Sequence, residues 1–192
     1  MQDNKDMNTA SFKGPFSFLK GQIDSILEVP EGKMEGGIYI WTIQCKNMEL
    51  IHYVGQTSRT FAQRMKEHLY GYLSGKYPIN DPKEIFNEKK EIWKGWPKAK
   101  VEDFIVKHDK LWGAIIETIR SIRIYVWQSD VDEKIRKRIE AAICLRLEQE
   151  AGMAGKLLDN KKQTKRNNNE ALLKIEVVLP KEVAGMPMTI DY

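Results

Sequence analysis

The chain has 192 residues, 42% hydrophobic and 9% aromatic, enough to bury a core and too much for wholesale disorder. Thirty-one Lys and Arg against 27 Asp and Glu give +4, a tilt that permits an anionic partner without demanding one. Two distant cysteines and three histidines argue against a disulfide scaffold and a Cys/His zinc site, and no apolar run is long enough for a transmembrane span.

In chain order, residues 1–11 read as a polar, frayed start with no apolar signal region. Phe16, Leu19, Ile23, Ile26 and Leu27 recur at helical spacing and predict a short helix over 14–28, ended by Pro30 and Gly32. GIYIWTIQC and IHYVGQT are rich in β-branched and aromatic residues and predict two antiparallel strands. Alternation puts Gly37, Tyr39 and Trp41 on one face of the first, and Ile51, Tyr53 and Gly55 on one face of the second. A helix follows, with Thr57 or Ser58 as its cap and Phe61, Met65, Leu69, Tyr72 and Leu73 as its apolar stripe. Arg64 and His68, one turn apart, share a face.

Residues 74–112 read as an insertion. Asp81, Pro82 and Glu84 form a capping signature for a short helix reaching about Lys94. Trp93 and Trp96 among Lys89, Lys90, Lys94, Lys98 and Lys100 suit nucleic-acid contact or packing against the core equally. Leu111, Ile115 and Ile119 continue a helical pattern, and IRIYVWQ is a strand. Asp130 and Glu133 open the strongest helix, with Ile135, Ile139, Ala142, Ile143 and Leu147 inward and Gly152 or Gly155 at its end. A basic loop, DNKKQTKRNNNE, precedes a last strand, ALLKIEVVL, and a tail from Pro180. The stretch from Lys134 to Arg166 is strongly basic, which suits phosphate contact or a merely solvated face. The order implies one small α/β (α+β) domain over 1–192, its sheet mixed or antiparallel and flanked by helices. It carries an N-terminal helical extension (1–35), the insertion, and a C-terminal strand and tail (170–192).

Each polar residue alone is weak. A strand tyrosine is ordinarily a packing residue. Glu140 is more unusual, lying among Ile139, Ala141, Ala142 and Ile143 just after Arg136, Lys137 and Arg138. Taken together, Gly37-Ile38-Tyr39, then Tyr53-Val54-Gly55, then Arg64 and His68, then Glu140 in RIEAAI resemble the GIY-YIG nuclease family. The long middle section is most similar to the stand-alone type II restriction endonucleases of that family.

That resemblance implies a three-stranded core and hydrolysis of DNA phosphodiester bonds. It implies one divalent ion per site, bound by Glu140 and suited to magnesium, which keeps waters and needs few carboxylates. It implies that Arg64 stabilises the scissile phosphate and that a tyrosine, Tyr39 or Tyr53, is the base. Tyrosine ionises near pH 10, so ionising it at pH 7 costs about 4 kcal/mol without help. His68 titrates near neutrality and is the alternative or the relay; Tyr39 is favoured, with Tyr53 positioning water or phosphate. Gln56, Asn160, Lys161 and Lys162 are further candidates for substrate contact. The expected partner is double-stranded DNA, with no membrane, a cytoplasmic location and a homodimer if both strands are cut. The alternatives are a mobile-element or repair-type nuclease, and a non-catalytic DNA-binding module on the same fold.

Overall fold

The computed structural model describes residues 8–45, 48–81, 91–149, 158, 170–180, 183 and 189–192. Strands β1 (Asn8–Ser11) and β2 (Lys13–Phe16) lead to β3 (Glu35–Cys45), β4 (Met48–Thr60) and helix α1 (Phe61–Leu73). Short strands β5 (Ile79–Asn80) and β6 (Glu91–Trp93) precede α2 (Val101–Ser121), β7 (Ile122–Gln128) and α3 (Glu133–Gln149). Strands β8 (Lys174–Val178) and β9 (Thr189–Asp191) follow.

The main sheet has the order β2-β7-β3-β4, antiparallel throughout. It is the expected three-stranded core widened by β2. Its two faces are buried against different elements, as the two-residue alternation of a strand requires. Ile38, Ile40 and Val54 meet Ile139, Ile143 and Leu147 of α3, with Ile175, Val177 and Ile190 of a second sheet in the same cluster. Tyr39, Trp41, Ile124 and Val126 meet Phe61 and Met65 of α1 and Ile115 and Ile119 of α2. The second sheet has the order β1-β8-β9.

Helix α1 begins where the sequence supplies a reciprocal cap. Gln63 N–H donates to Thr60 Oγ1 (3.2 Å), and Thr60 N–H donates to Gln63 Oε1 (3.3 Å). The cap is thus Thr60 rather than Thr57 or Ser58, both of which continue β4. At the start of α3, Ile135 N–H donates to Asp132 Oδ1 (2.9 Å), so Asp132 and not Asp130 satisfies the first turn.

Three further expectations change. Residues 14–28 are not a helix. Ser17 and Ser25 capture backbone groups instead: Ser17 Oγ donates to the Leu19 carbonyl (2.6 Å) and Ser25 Oγ to that of Phe18 (2.9 Å). Serine hydroxyls compete with the helix ladder in this way. Residues 8–11, read as frayed, are a strand parallel to β8, and the C-terminal tail returns as β9. A polar strand at a sheet edge has no periodic signature of its own. Of the stretch expected to be helical up to Lys94, residues 91–93 form strand β6, and residues 82–90, with Pro82, Glu84, Lys89 and Lys90, lie outside the described residues.

One register detail governs the site. Trp41 pairs with Tyr53 but Thr42 pairs with Ile51, so His52 is an extra residue on β4. Such a bulge reverses the faces beyond it. Ile51 therefore joins Ile38 and Ile40 instead of sharing the face of Tyr53. Below the bulge, buried Glu49 accepts from Thr42 Oγ1 (3.0 Å) and from the Tyr125 hydroxyl (2.6 Å), which satisfies a carboxylate that would be costly to bury alone. Among the described residues no helix is long and apolar enough to cross a membrane.

Candidate active site

Tyr39 projects from the middle of β3 toward α1 and is fully buried. Its register partner is Gly55. A methyl group at residue 55 would stand 2.4 Å from both Cζ and the hydroxyl of Tyr39. The glycine is therefore a space requirement: the phenol head lies across the neighbouring strand, where any side chain would displace it.

Helix α1 delivers Arg64 and His68 to that hydroxyl. Arg64 Nε donates to the Tyr39 oxygen (3.1 Å), and His68 Nε2 lies 2.7 Å from the same oxygen. Arg64 Nη1 donates to Glu67 (2.9 Å), which also pairs with Arg59, so the guanidinium is held from two sides. His68 is packed among Trp41, Tyr39, Tyr53 and Tyr77, with the Trp41 ring closest at 4.6 Å between centroids. Its Nδ1 lies 3.1 Å from the Tyr77 hydroxyl. Tyr53 stacks beside Tyr39, centroids 6.0 Å apart.

The electrostatics hold this cluster neutral. Burial, with Arg64 and Lys76 adding to it, lowers the His68 pKa to about 3. Burial also raises Tyr39 well above its ordinary value, with Tyr53 adding to the rise and Arg64 opposing it. Tyr53 is raised by burial and then by the charge of Glu140. At neutral pH the tyrosines and the imidazole are therefore uncharged, and Arg64 is the cation at the Tyr39 oxygen.

Glu140 comes from α3, on the other side of β4, and is buried. One turn before it, Arg136 Nη2 donates to Ser58 Oγ (2.8 Å), while the charge of Glu140 acts on Tyr53. Gln56 lies between Tyr53 and Ser58 along β4. Gln56 Oε1 is buried with no hydrogen-bond partner among the described residues. The described residues contain no cluster of three His, Cys, Asp or Glu side chains. One carboxylate and an unsatisfied amide oxygen fit a hard ion that keeps most of its water, the habit of magnesium.

The structure thus brings Tyr39, Tyr53, Arg64 and His68 together, sets the charge of Glu140 on Tyr53, and leaves the Gln56 amide oxygen on β4 buried. Asn160, Lys161, Lys162, the basic loop and the helix-ending Gly152 and Gly155 lie outside the described residues. Two residues of the basic stretch read as phosphate-contacting or solvated are spent inside the fold. Arg138 Nη2 donates to the carbonyls of Ala171 (3.0 Å) and Tyr192 (2.8 Å), and Arg136 holds Ser58 and Val131. Trp93 is also interior, its indole N–H donating to the Gly75 carbonyl (2.7 Å), whereas Trp96 is exposed.

Sequence reasoning missed Tyr77. It follows α1, in what reads as the start of a polar insertion, and it reaches His68 only through space. Gly71, nearly one turn after His68, was the available signal: a residue without a side chain on a helix face leaves room for a ring. No curated protein and no solved structure matches the chain. Residues 35–110, which carry Tyr39, Tyr53, Arg64, His68 and Tyr77 but not Glu140, match the family model of the GIY-YIG catalytic domain, and that match implies a nuclease acting on DNA.

Proposed function

We propose that the chain is a magnesium-dependent endonuclease of double-stranded DNA, working as a sequence-specific restriction enzyme. The observation that carries the reading is the convergence of Arg64 and His68 on one buried phenol oxygen, that of Tyr39.

In this reading Tyr39, in its ionised form, takes a proton from the attacking water. The water oxygen bonds to phosphorus as the bond to the departing 3′ oxygen breaks. Arg64 acts twice. Its Nε stabilises the Tyr39 oxygen, and its planar head is matched to phosphate oxygens. Tyr53 positions water or phosphate. Glu140, with Gln56, would hold a metal ion, which would supply positive charge for the phosphate and the leaving oxygen.

His68 serves as a hydrogen-bond donor here rather than as the base. A group with a pKa near 3 holds a proton too weakly to take one from a tyrosine. A cation held at Glu140 would offset the carboxylate charge that raises Tyr53.

The test is incubation of mixed unmethylated DNA with the purified protein and magnesium. Discrete fragments support a sequence-specific enzyme, and a continuous smear points to a repair-type or mobile-element nuclease. DNA retardation on a gel with no cleavage in magnesium would leave a binding module on this fold. Cutting of both strands predicts a homodimer on DNA, read by sedimentation; a monomer alone would refute that part.

A further inference from the structure

We infer that Tyr77 is a positioning residue for the reaction: its hydroxyl donates to His68 Nδ1 and so fixes the Nε2–H tautomer, which turns a second N–H donor onto the Tyr39 oxygen. This inference rests on the reading of Tyr39 as the base.

The geometry leaves two arrangements of one hydrogen-bond chain. Tyr77 and Tyr39 sit on opposite ring nitrogens of His68, at 3.1 and 2.7 Å. Either Tyr77 O–H donates to Nδ1 and Nε2–H donates to Tyr39, or both bonds run the other way. A neutral imidazole has one donor and one acceptor, so the two ends are coupled. Arg64 can only donate, and it already gives Nε–H to Tyr39. A phenolate at Tyr39 needs donors on its oxygen. The Tyr53 hydroxyl also interacts with Tyr39, but only the first arrangement adds a second N–H donor to that of Arg64, and it requires a donor at Nδ1. Tyr77 is that donor, and burial keeps its hydroxyl protonated by raising its pKa.

Tyr77 is held as firmly as the residues it serves. Its N–H donates to the Gly71 carbonyl (3.2 Å). Its ring lies edge-on to Tyr72, centroids 5.4 Å apart. A methyl group on Gly71 would stand 2.4 Å from the ring, so α1 is notched to receive it. Trp93 ties down the preceding turn through Gly75, whose backbone is left-handed at φ +72° and whose position has no room for a side chain above Phe104. The turn after α1 is thus fixed with the Tyr77 hydroxyl against the histidine.

The test joins tautomer and kinetics. In ¹⁵N spectra of the intact protein, with His68 assigned by the signal lost in His68→Gln, the wild type should show a protonated Nε2 and an unprotonated Nδ1. Tyr77→Phe keeps the ring and removes the donor. It should shift His68 toward the Nδ1–H form and lower kcat about tenfold with KM unchanged, the worth of one hydrogen bond made in the transition state. A wild-type His68 protonated at Nδ1, or a Tyr77→Phe protein with unchanged tautomer and unchanged kcat, would overturn the inference. If the wild type cuts no DNA, the nuclease reading fails on its own, while the wild-type tautomer still decides the role of Tyr77 in the hydrogen-bond chain.

Discussion

The hydroxyl of Tyr39 and Nε2 of His68 lie 2.7 Å apart although 29 positions separate them in the chain. Strand β3 and helix α1, which directly follows the hairpin partner of β3, meet at this bond and at that from Arg64 to the same oxygen, and both groups are buried. Because each is held neutral by burial, the pair stores no charge in the free protein. In the proposed reaction, charge at Tyr39 would arrive with the substrate and the ion.

Replacing Gly55 with alanine tests the close approach of β4 to the phenol. The added methyl would collide with the Tyr39 head at 2.4 Å, forcing the ring off its bonds to Arg64 and His68. Cleavage should fall by about a hundredfold or more, since displacing the proposed general base forfeits its contribution. Thermal unfolding should show a loss of about 1–3 kcal/mol, the usual cost of overpacking. Full activity in Gly55→Ala would mean that the position of the Tyr39 hydroxyl does not matter.

Arg64→Lys keeps a positive charge but loses the fixed fork. A lysine ammonium cannot serve the Tyr39 oxygen through Nε while presenting a planar pair to phosphate. Single-turnover cleavage should drop at least tenfold, with DNA affinity, read by gel retardation without metal, changing much less. A rate equal to that of the wild type would reduce Arg64 to a general electrostatic role.

Acid should destabilise the protein through His68. Its folded pKa, about 3, lies below the ordinary 6.5, so the unfolded chain takes up the proton first. The contribution from keeping it neutral is intact above about pH 6.5 and is lost as pH falls toward 3, with a slope of up to about 1.4 kcal/mol per pH unit. Denaturant unfolding of the wild type and His68→Gln across that window should show the extra slope only in the wild type. Parallel curves would contradict it.

Much of the fold was legible because long elements carry strong periodicity. Strand β7 matches IRIYVWQ, and Ile139, Ile143 and Leu147 face inward as their spacing requires. What stayed hidden depends on contacts far apart in sequence. The bulge at His52 is decided by the pairing with β3, and β1 exists only because β8 lies beside it. At the site, Tyr39, Tyr53, Arg64 and His68 are named together in the sequence because their motifs and order resemble the GIY-YIG family, whereas periodicity gives only a face for each. Tyr77 is not among them, since nothing local distinguishes an aromatic after a turn from a packing residue.

Arg138 illustrates the same limit in reverse. In sequence it belongs to a basic run, yet it is buried and bonds to the carbonyls of Ala171 and Tyr192. Arg138→Met should lower stability by about 1–3 kcal/mol, the cost of leaving buried acceptors unmet, measured by denaturant unfolding. It should leave the salt dependence of DNA binding unchanged, because a cation engaged inside the fold releases no counterion from phosphate. A smaller salt slope would place Arg138 on the DNA after all.

The most direct test of the nuclease reading is the single-turnover cleavage rate of plasmid DNA in magnesium for the wild type, Tyr39→Phe and Glu140→Gln, with folding of each checked by unfolding curves. The expected result is cleavage by the wild type and a loss of about a hundredfold or more in both folded variants. Cleavage that persists in either one would contradict a reaction carried by a tyrosine base and a glutamate-held ion.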